Sequence, residues 1–311
     1  MSDFRYRLSR RTLLQSVAAL AASASLPAMA VDRERVMRRA VPASGELIPI
    51  LGMGTWLTFD VANYPTLIAK RAQVLQAFFA AGGGMIDSSP MYGSSEKAVG
   101  ACLELLDDHA ELFTATKVWT PTRWLGVQQM ETSMKLWGVP RFDLMQIHNM
   151  LDWQTHIETL KAWKAQGRVR YIGITTSHGR RHAELEAALQ KAPFDFVQLT
   201  YNVLDREAES RLLPLARDLG IAVIVNRPFR RGGLFERVQG KPLPEWAAEI
   251  GCSAWSQFFL KFILSHPGVT CAIPATTRVD HMRENLQAAM GELPDPSTRQ
   301  RMVDYVEKHL A

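Results

Sequence analysis

The sequence predicts an α/β fold, a (β/α)8 TIM barrel with an N-terminal hairpin and a C-terminal helical extension. Eight short β-rich runs recur along the chain, and segments with helical spacing separate them. The polar residues that close four successive runs, Asp87, Lys117, His148 and Thr175, lie 30, 31 and 27 residues apart, the size of one βα unit. Eight such units in series argue for a closed parallel barrel over an open sheet. A chain of 311 residues that is 47% hydrophobic and 22% charged has a globular composition, which excludes long disordered, collagen-like and multi-span membrane proteins.

Residues 1–30 read as a cleaved export signal. Arg5, Arg7, Arg10 and Arg11 form a basic start, an Ala/Leu-rich run follows from Thr12 to Leu26, and Ala28-Met29-Ala30 supplies a cleavage site before Val31. The pair Arg10-Arg11, followed by Thr12-Leu13-Leu14, resembles a bacterial twin-arginine signal and places the mature protein in the periplasm. The run carries Gln15 and several serines and falls short of the ~20 apolar residues a spanning helix needs, so no membrane anchoring is expected. Residues 1–30 hold four of the 36 basic residues and one of the 31 acidic ones, so a formal charge of +5 falls to +2 without them. Residues 31–40 mix both signs as a solvated lead-in, and no nucleic-acid footprint is seen.

The barrel is expected over 41–311. A hairpin from Val41 to Pro49, turning at Ser44-Gly45, plugs one end. The eight strands are read at 51–56, 85–88, 112–118, 142–147, 169–175, 194–199, 221–225 and 269–273. Helical stripes lie between them, such as Trp153, Ile157, Leu160 and Trp163, or Trp255, Phe258, Phe259 and Phe262. Gly82, Gly138, Gly167 and Gly220 mark helix ends just ahead of strands. An Arg/Gly/Pro-rich loop, Arg227 to Pro244, follows strand seven, and two helices (281–290 and 297–310) close the chain. Long loops after barrel strands usually build the substrate pocket. Cys102, Cys252 and Cys271 sit in apolar stretches and read as small buried hydrophobes, with a 252–271 bridge as a remote alternative. His178 and His182 have metal-ligand spacing but no third ligand, and no metal is expected.

In a barrel, polar residues at the C-terminal ends of strands converge on one site. Four stand out: Asp87, Tyr92 in the following loop, Lys117 and His148. Singly, each has a plain structural use, as helix cap, loop aromatic, snorkelling lysine or core imidazole. Together they answer one another's electrostatic needs. A nearby ammonium lowers a tyrosine pKa, so Lys117 is expected to acidify Tyr92. A buried ammonium needs a carboxylate, which Asp87 supplies, and His148 can hold a carbonyl oxygen near the Tyr92 hydroxyl. Such a set protonates an oxygen as it becomes an alkoxide.

The stretches LGMGTW, MIDSSPMYGSSEKAVG, TATKVW, DLMQIHN, YIGITT, FVQLTYN and AIPATTRVDHMRENL follow in order from about Gly45 to Asn285. In them the chain resembles the aldo-keto reductase family. The resemblance implies NAD(P)H-dependent reduction of an aldehyde or ketone, with Tyr92 as general acid, Lys117 and Asp87 as its tuning pair and His148 orienting the substrate. It also implies NADP(H), or NAD(H), bound with Thr175, Thr176 and Gln198 at the carboxamide. Gly54, Thr55 and Trp56 would lie beneath the cofactor, Asp87 would also contact it, and Arg283 and Asn285 would lie at the adenosine end.

No G-x-G-x-x-G follows a strand, so the phosphates are expected at the loops after strands seven and eight. Those loops carry Arg230-Arg231-Gly232-Gly233 and Thr276-Thr277-Arg278. Departures from the family pattern are Asn226 where a stacking aromatic is frequent, Thr176 for Asn, Ala275 for a basic residue and His281 for an arginine. Two rival readings stay open: a Schiff-base barrel lyase using Lys117, and a nucleotide-binding sensor or interaction protein with negligible turnover. The expected partners are a small-molecule carbonyl substrate and, through the signal, the twin-arginine export machinery, with the protein itself a monomer.

Overall fold

The computed structural model describes residues 35–309, which belong to one compact unit, Glu34–Ala311. The expected signal, residues 1–30, lies outside the described residues.

Strands β1 (Arg38–Ala40) and β2 (Leu47–Pro49) form an antiparallel hairpin. The barrel strands follow: β3 (Met53–Gly54), β4 (Met85–Asp87), β5 (Phe113–Val118), β6 (Phe142–Ile147), β7 (Val169–Thr175), β8 (Phe196–Thr200), β9 (Ala222–Asn226) and β10 (Cys271–Ala272). Each pairs in parallel with the next, and β10 returns to the first through a bridge between Leu51 and Ala272. Gly52 N–H donates to Ala272 O (2.8 Å) and Gly54 N–H to Pro274 O (3.0 Å), which closes the ring.

Helices α1 (Pro65–Ala80), α2 (Ser95–Leu103), α3 (Arg123–Trp137), α4 (Trp153–Ala165), α5 (His182–Lys191) and α6 (Leu212–Asp218) alternate with the strands. Gly138 and Gly167, with φ of 68° and 73°, end α3 and the turn after α4 in the left-handed region that glycine enters without strain. Next come α7 (Gly233–Val238), α8 (Trp255–Leu264), α9 (Val279–Gln287) and α10 (Pro296–His309). Among the described residues no helix is long and apolar enough to cross a membrane.

Strand alternation sorts the core into two. Met85, Phe113, Ala115, Leu144, Tyr171, Phe196, Ala222 and Ile224 fill the barrel interior, where Val41 and Ile48 of the hairpin join them as the expected plug. Ile86, Val118, Met145, Ile147, Ile172, Ile174, Val197, Leu199, Val223 and Val225 face outward beneath the helices. Continuing the inward parity toward the C-terminal ends gives Asp87, Lys117, Gln146, His148, Thr175, Gln198 and Asn226, so the pleat that packs the interior also raises the polar layer above it.

Two segments are more ordered than the sequence pattern suggests. The hairpin begins at Arg38, inside the expected lead-in, because Arg39 donates to Leu264 O (2.6 Å), His266 O (3.2 Å) and Val269 O and ties the strand to the barrel. Within the expected loop 227–244, α7 forms because Leu234 and Val238, four apart, are both buried, while Phe235 packs on Phe229 with ring centroids 4.8 Å apart. Cys102, Cys252 and Cys271 are unpaired and buried.

Candidate active site

A cavity of about 420 Å³ opens over the C-terminal ends of the strands. Its wall includes Gly54, Thr55, Trp56, Asp87, Tyr92, His148, Thr175, Thr176, Gln198, Asn226 and Arg231, brought from the ends of six different strands and the loops that follow them. Lys117 lies beneath it, fully buried.

The floor is one hydrogen-bonded network. Lys117 Nζ donates to Asp87 Oδ2 (2.5 Å) and to Ser88 O (2.8 Å). The other carboxylate oxygen, Asp87 Oδ1, accepts from Gln146 Nε2 (2.8 Å) and Gln198 Nε2 (3.0 Å). Asn226 Nδ2 donates to Thr176 O (2.8 Å) and Gln198 Oε1 (3.3 Å), and Asn226 Oδ1 accepts from Thr200 Oγ1 (2.8 Å). A buried ion pair is tolerable only when its remaining hydrogen-bonding capacity is met, and here both carboxylate oxygens are engaged.

Tyr92 stands over this floor, its ring centroid 5.0 Å from the Lys117 ammonium and 5.7 Å from the His148 ring, which it meets edge-on. Burial pushes the Tyr92 hydroxyl above its ordinary value, and the Lys117 charge only partly offsets that. The acidification expected from the lysine is therefore outweighed: the phenol keeps its proton at neutral pH. Burial pulls Lys117 down, but the Asp87 and Tyr92 contacts more than compensate and hold it above 10.5. It is an ammonium, not a free amine. His148 is pulled down to about 2 by burial and by the Lys117 charge, so its imidazole is neutral. Its Nδ1 lies 2.7 Å from Ser89 Oγ.

The rest of the wall divides by chemistry. Leu57, Met91 and Phe235 present apolar surface, and Leu57 is 71% exposed. His178, Arg227 and Arg231 also line the cavity, and the Arg231 guanidinium lies 3.9 Å from the centre of the Trp56 ring. Burial and the charges of Arg227, Arg231 and Arg180 hold His178 below its ordinary value. Thr176 lines the cavity, and among the described residues its buried hydroxyl has no hydrogen-bond partner.

Several expected cofactor residues do not line this cavity. Arg230 pairs with Asp205 (3.0 Å) in an adjoining cationic pocket. Arg278 pairs with Asp280 on the surface, Thr276 Oγ1 accepts from the Arg278 N–H (3.2 Å), and Arg283 and Asn285 lie on α9, the first exposed and the second buried. Conversely, Gln146, Ser89, Asn149, Arg227 and His178 belong to the site although the motifs gave them no role. Strand parity holds a signal for the first of these, since Gln146 is two residues before His148.

Comparison with known proteins bears on this geometry. The Aldo/keto reductase family model matches residues 50–300. The aldo-keto reductase str7 of Strobilurus tenacellus is 28% identical over 266 residues, covering 73% of this chain and 78% of its own. The crystal structure of the thermostable aldo-keto reductase Tm1743, solved with the inhibitor epalrestat, is 26% identical with a TM-score of 0.72, covering 87% of this chain and 99% of its own. An aldo-keto reductase from Klebsiella pneumoniae, solved with NADPH, has a TM-score of 0.72 at 19% identity, covering 89% of this chain and 95% of its own.

Proposed function

Because the chain belongs to the aldo/keto reductase family of NAD(P)H-dependent oxidoreductases, we propose that it reduces an aldehyde or ketone to an alcohol with NADPH, NADH being the alternative donor. The observation that carries the reading is the buried Lys117–Asp87 pair set beneath a protonated Tyr92 and beside a neutral His148 on one cavity. When bound, the nicotinamide cofactor supplies hydride to the carbonyl carbon.

The chain's own residues manage the oxygen. Tyr92 gives its proton to that oxygen as negative charge develops on it. The Lys117 ammonium steadies the phenolate left behind, and Asp87, held by Gln146 and Gln198, keeps the ammonium in place. His148, whose ring meets Tyr92 edge-on, orients the carbonyl. Trp56, Leu57, Met91 and Phe235 give the substrate an apolar wall that excludes water.

The Thr176 hydroxyl and the neighbouring Thr175 fit a carboxamide, and Arg227, Arg231 and the backbone at Gly232 fit a diphosphate. The Klebsiella relative's NADPH supports the same class of ligand here. Arg283 and Asn285 are proposed for the adenosine end and Thr276 and Arg278 for the phosphates, with Arg230 joining the phosphate contacts only if it leaves Asp205. Nothing in the site favours the lyase reading, since Lys117 is charged and fully engaged.

Oxidation of NADPH with a panel of small aldehydes tests the proposal. Tyr92→Phe is expected to lower kcat by about 10²–10⁴-fold with NADPH affinity retained, and an unchanged rate would remove Tyr92 from the role of acid. The protein is proposed to act as a monomer in the periplasm, folded with its cofactor before the twin-arginine machinery carries it across.

A further inference from the structure

We propose that Ser89 is a positioning residue that fixes the tautomer of His148, so that the imidazole presents Nε2–H to the reaction cavity. Ser89 is fully buried and occupies the loop between β4 and Tyr92, while His148 ends β6. Its hydroxyl oxygen accepts the Met91 N–H at 3.2 Å and lies 2.7 Å from His148 Nδ1. A serine hydroxyl has one hydrogen to give. Among the described contacts of Ser89, His148 Nδ1 is the acceptor within reach of that hydrogen.

Two arrangements satisfy the 2.7 Å contact. If Nδ1 carried the proton and donated to Ser89, the serine hydrogen would be left in the interior without an acceptor, which a buried donor pays for in lost solvation. If Ser89 donates to Nδ1, both groups are satisfied and the imidazole proton must sit on Nε2. The hydrogen bond made by one ring nitrogen thereby decides what the other offers.

Neutrality is what makes the tautomer matter. Burial and the Lys117 charge keep His148 from holding a second proton, so a single N–H is available and its location is decisive. With that N–H on Nε2, the ring is a donor toward the cavity that Tyr92 shares. The opposite tautomer would present a lone pair there, which repels a carbonyl oxygen.

The inference rests on the proposed reductase reading for its catalytic consequence, but its structural half can be measured without turnover. Two-bond ¹H–¹⁵N correlation spectra of uniformly labelled protein, with His148 assigned by comparison with His148→Gln, report which nitrogen is protonated. The expected result is the Nε2–H form in the wild-type chain, and a mixture or the reverse form in Ser89→Ala. Ser89→Thr, which keeps the hydroxyl, restores the wild-type pattern. In NADPH-linked aldehyde reduction, Ser89→Ala is expected to lower kcat by about 10- to 100-fold with KM and NADPH affinity within about twofold. A wild-type His148 protonated on Nδ1 overturns the proposal, as does an Ala variant that keeps the Nε2–H form and the wild-type kcat. If no aldehyde is reduced by the wild-type protein, the reductase reading fails while the wild-type tautomer still decides the role of Ser89. The wild-type spectrum is likewise sufficient should the Ala variant fail to fold.

Discussion

Lys117 and Asp87 are both shielded from solvent, and the pair survives there because each has more than one partner. Removing one charge leaves the other stranded, so Asp87→Asn is expected to cost about 3–5 kcal/mol in urea unfolding and to depress aldehyde reduction. Lys117 is held above its ordinary 10.5. A raised folded-state value means the pair's stabilisation is complete below 10.5 and is lost as pH rises through the folded value. The difference in stability between wild type and Asp87→Asn should therefore be constant from pH 6 to 9 and shrink only in strong alkali. His148, neutral down to about 2, should give the reduction rate no inflection near the ordinary histidine value of 6.5 in a pH–rate profile. Borohydride in the presence of a carbonyl substrate should leave Lys117 unmodified, because an ammonium has no lone pair with which to form an imine. Mass spectrometry of the treated protein checks this.

At the scale of elements, the helices are fitted to one another closely enough to reverse ordinary propensity. Gly100 lies within α2, where alanine would normally be the better helix former. A Cβ there would meet the Leu136 carbonyl oxygen on α3 at 2.0 Å. Gly100→Ala is thus expected to destabilise by about 1–3 kcal/mol in thermal unfolding, and a stabilised variant would contradict the close approach of these helices.

Glu96 on the same helix is buried between Thr116 Oγ1 (2.6 Å) on β5 and Ser133 Oγ (2.9 Å) on α3, and burial raises its pKa. The folded state therefore holds this proton more tightly than the unfolded one, and the group's contribution fades as pH rises above 4.5. Glu96→Gln should lose less stability than the wild type between pH 5 and 8, measured as the difference in Tm. The elements themselves were largely legible, because strand alternation and helical stripes report burial on one face. The exceptions, β1 and α7, are short pieces whose order comes from Arg39 reaching three carbonyls across the barrel and from Leu234 and Val238 finding the core. No local pattern encodes those contacts.

For the whole molecule, the proposal of export makes a separate prediction. Full-length chain expressed in a Gram-negative host should yield a periplasmic product beginning at Val31, and Arg10→Lys with Arg11→Lys should leave it uncleaved in the cytoplasm. N-terminal sequencing of fractionated protein distinguishes the two outcomes. The sequence by itself determined the barrel, because period-2 and period-3.6 patterns are local and eight of them in series admit little else. It also determined that Asp87, Tyr92, Lys117 and His148 would meet, since strand ends of a barrel share one face. Only the tertiary structure decided how they act on one another. Whether Lys117 acidifies Tyr92 depends on burial against charge, and burial prevails. Whether Arg230 is available to a phosphate depends on Asp205, which already holds it. Which residues support Asp87 depends on Gln146 and Gln198 converging from β6 and β8. Each of these is a through-space balance of distance and solvent exclusion, and neither quantity exists along the chain until the barrel has closed.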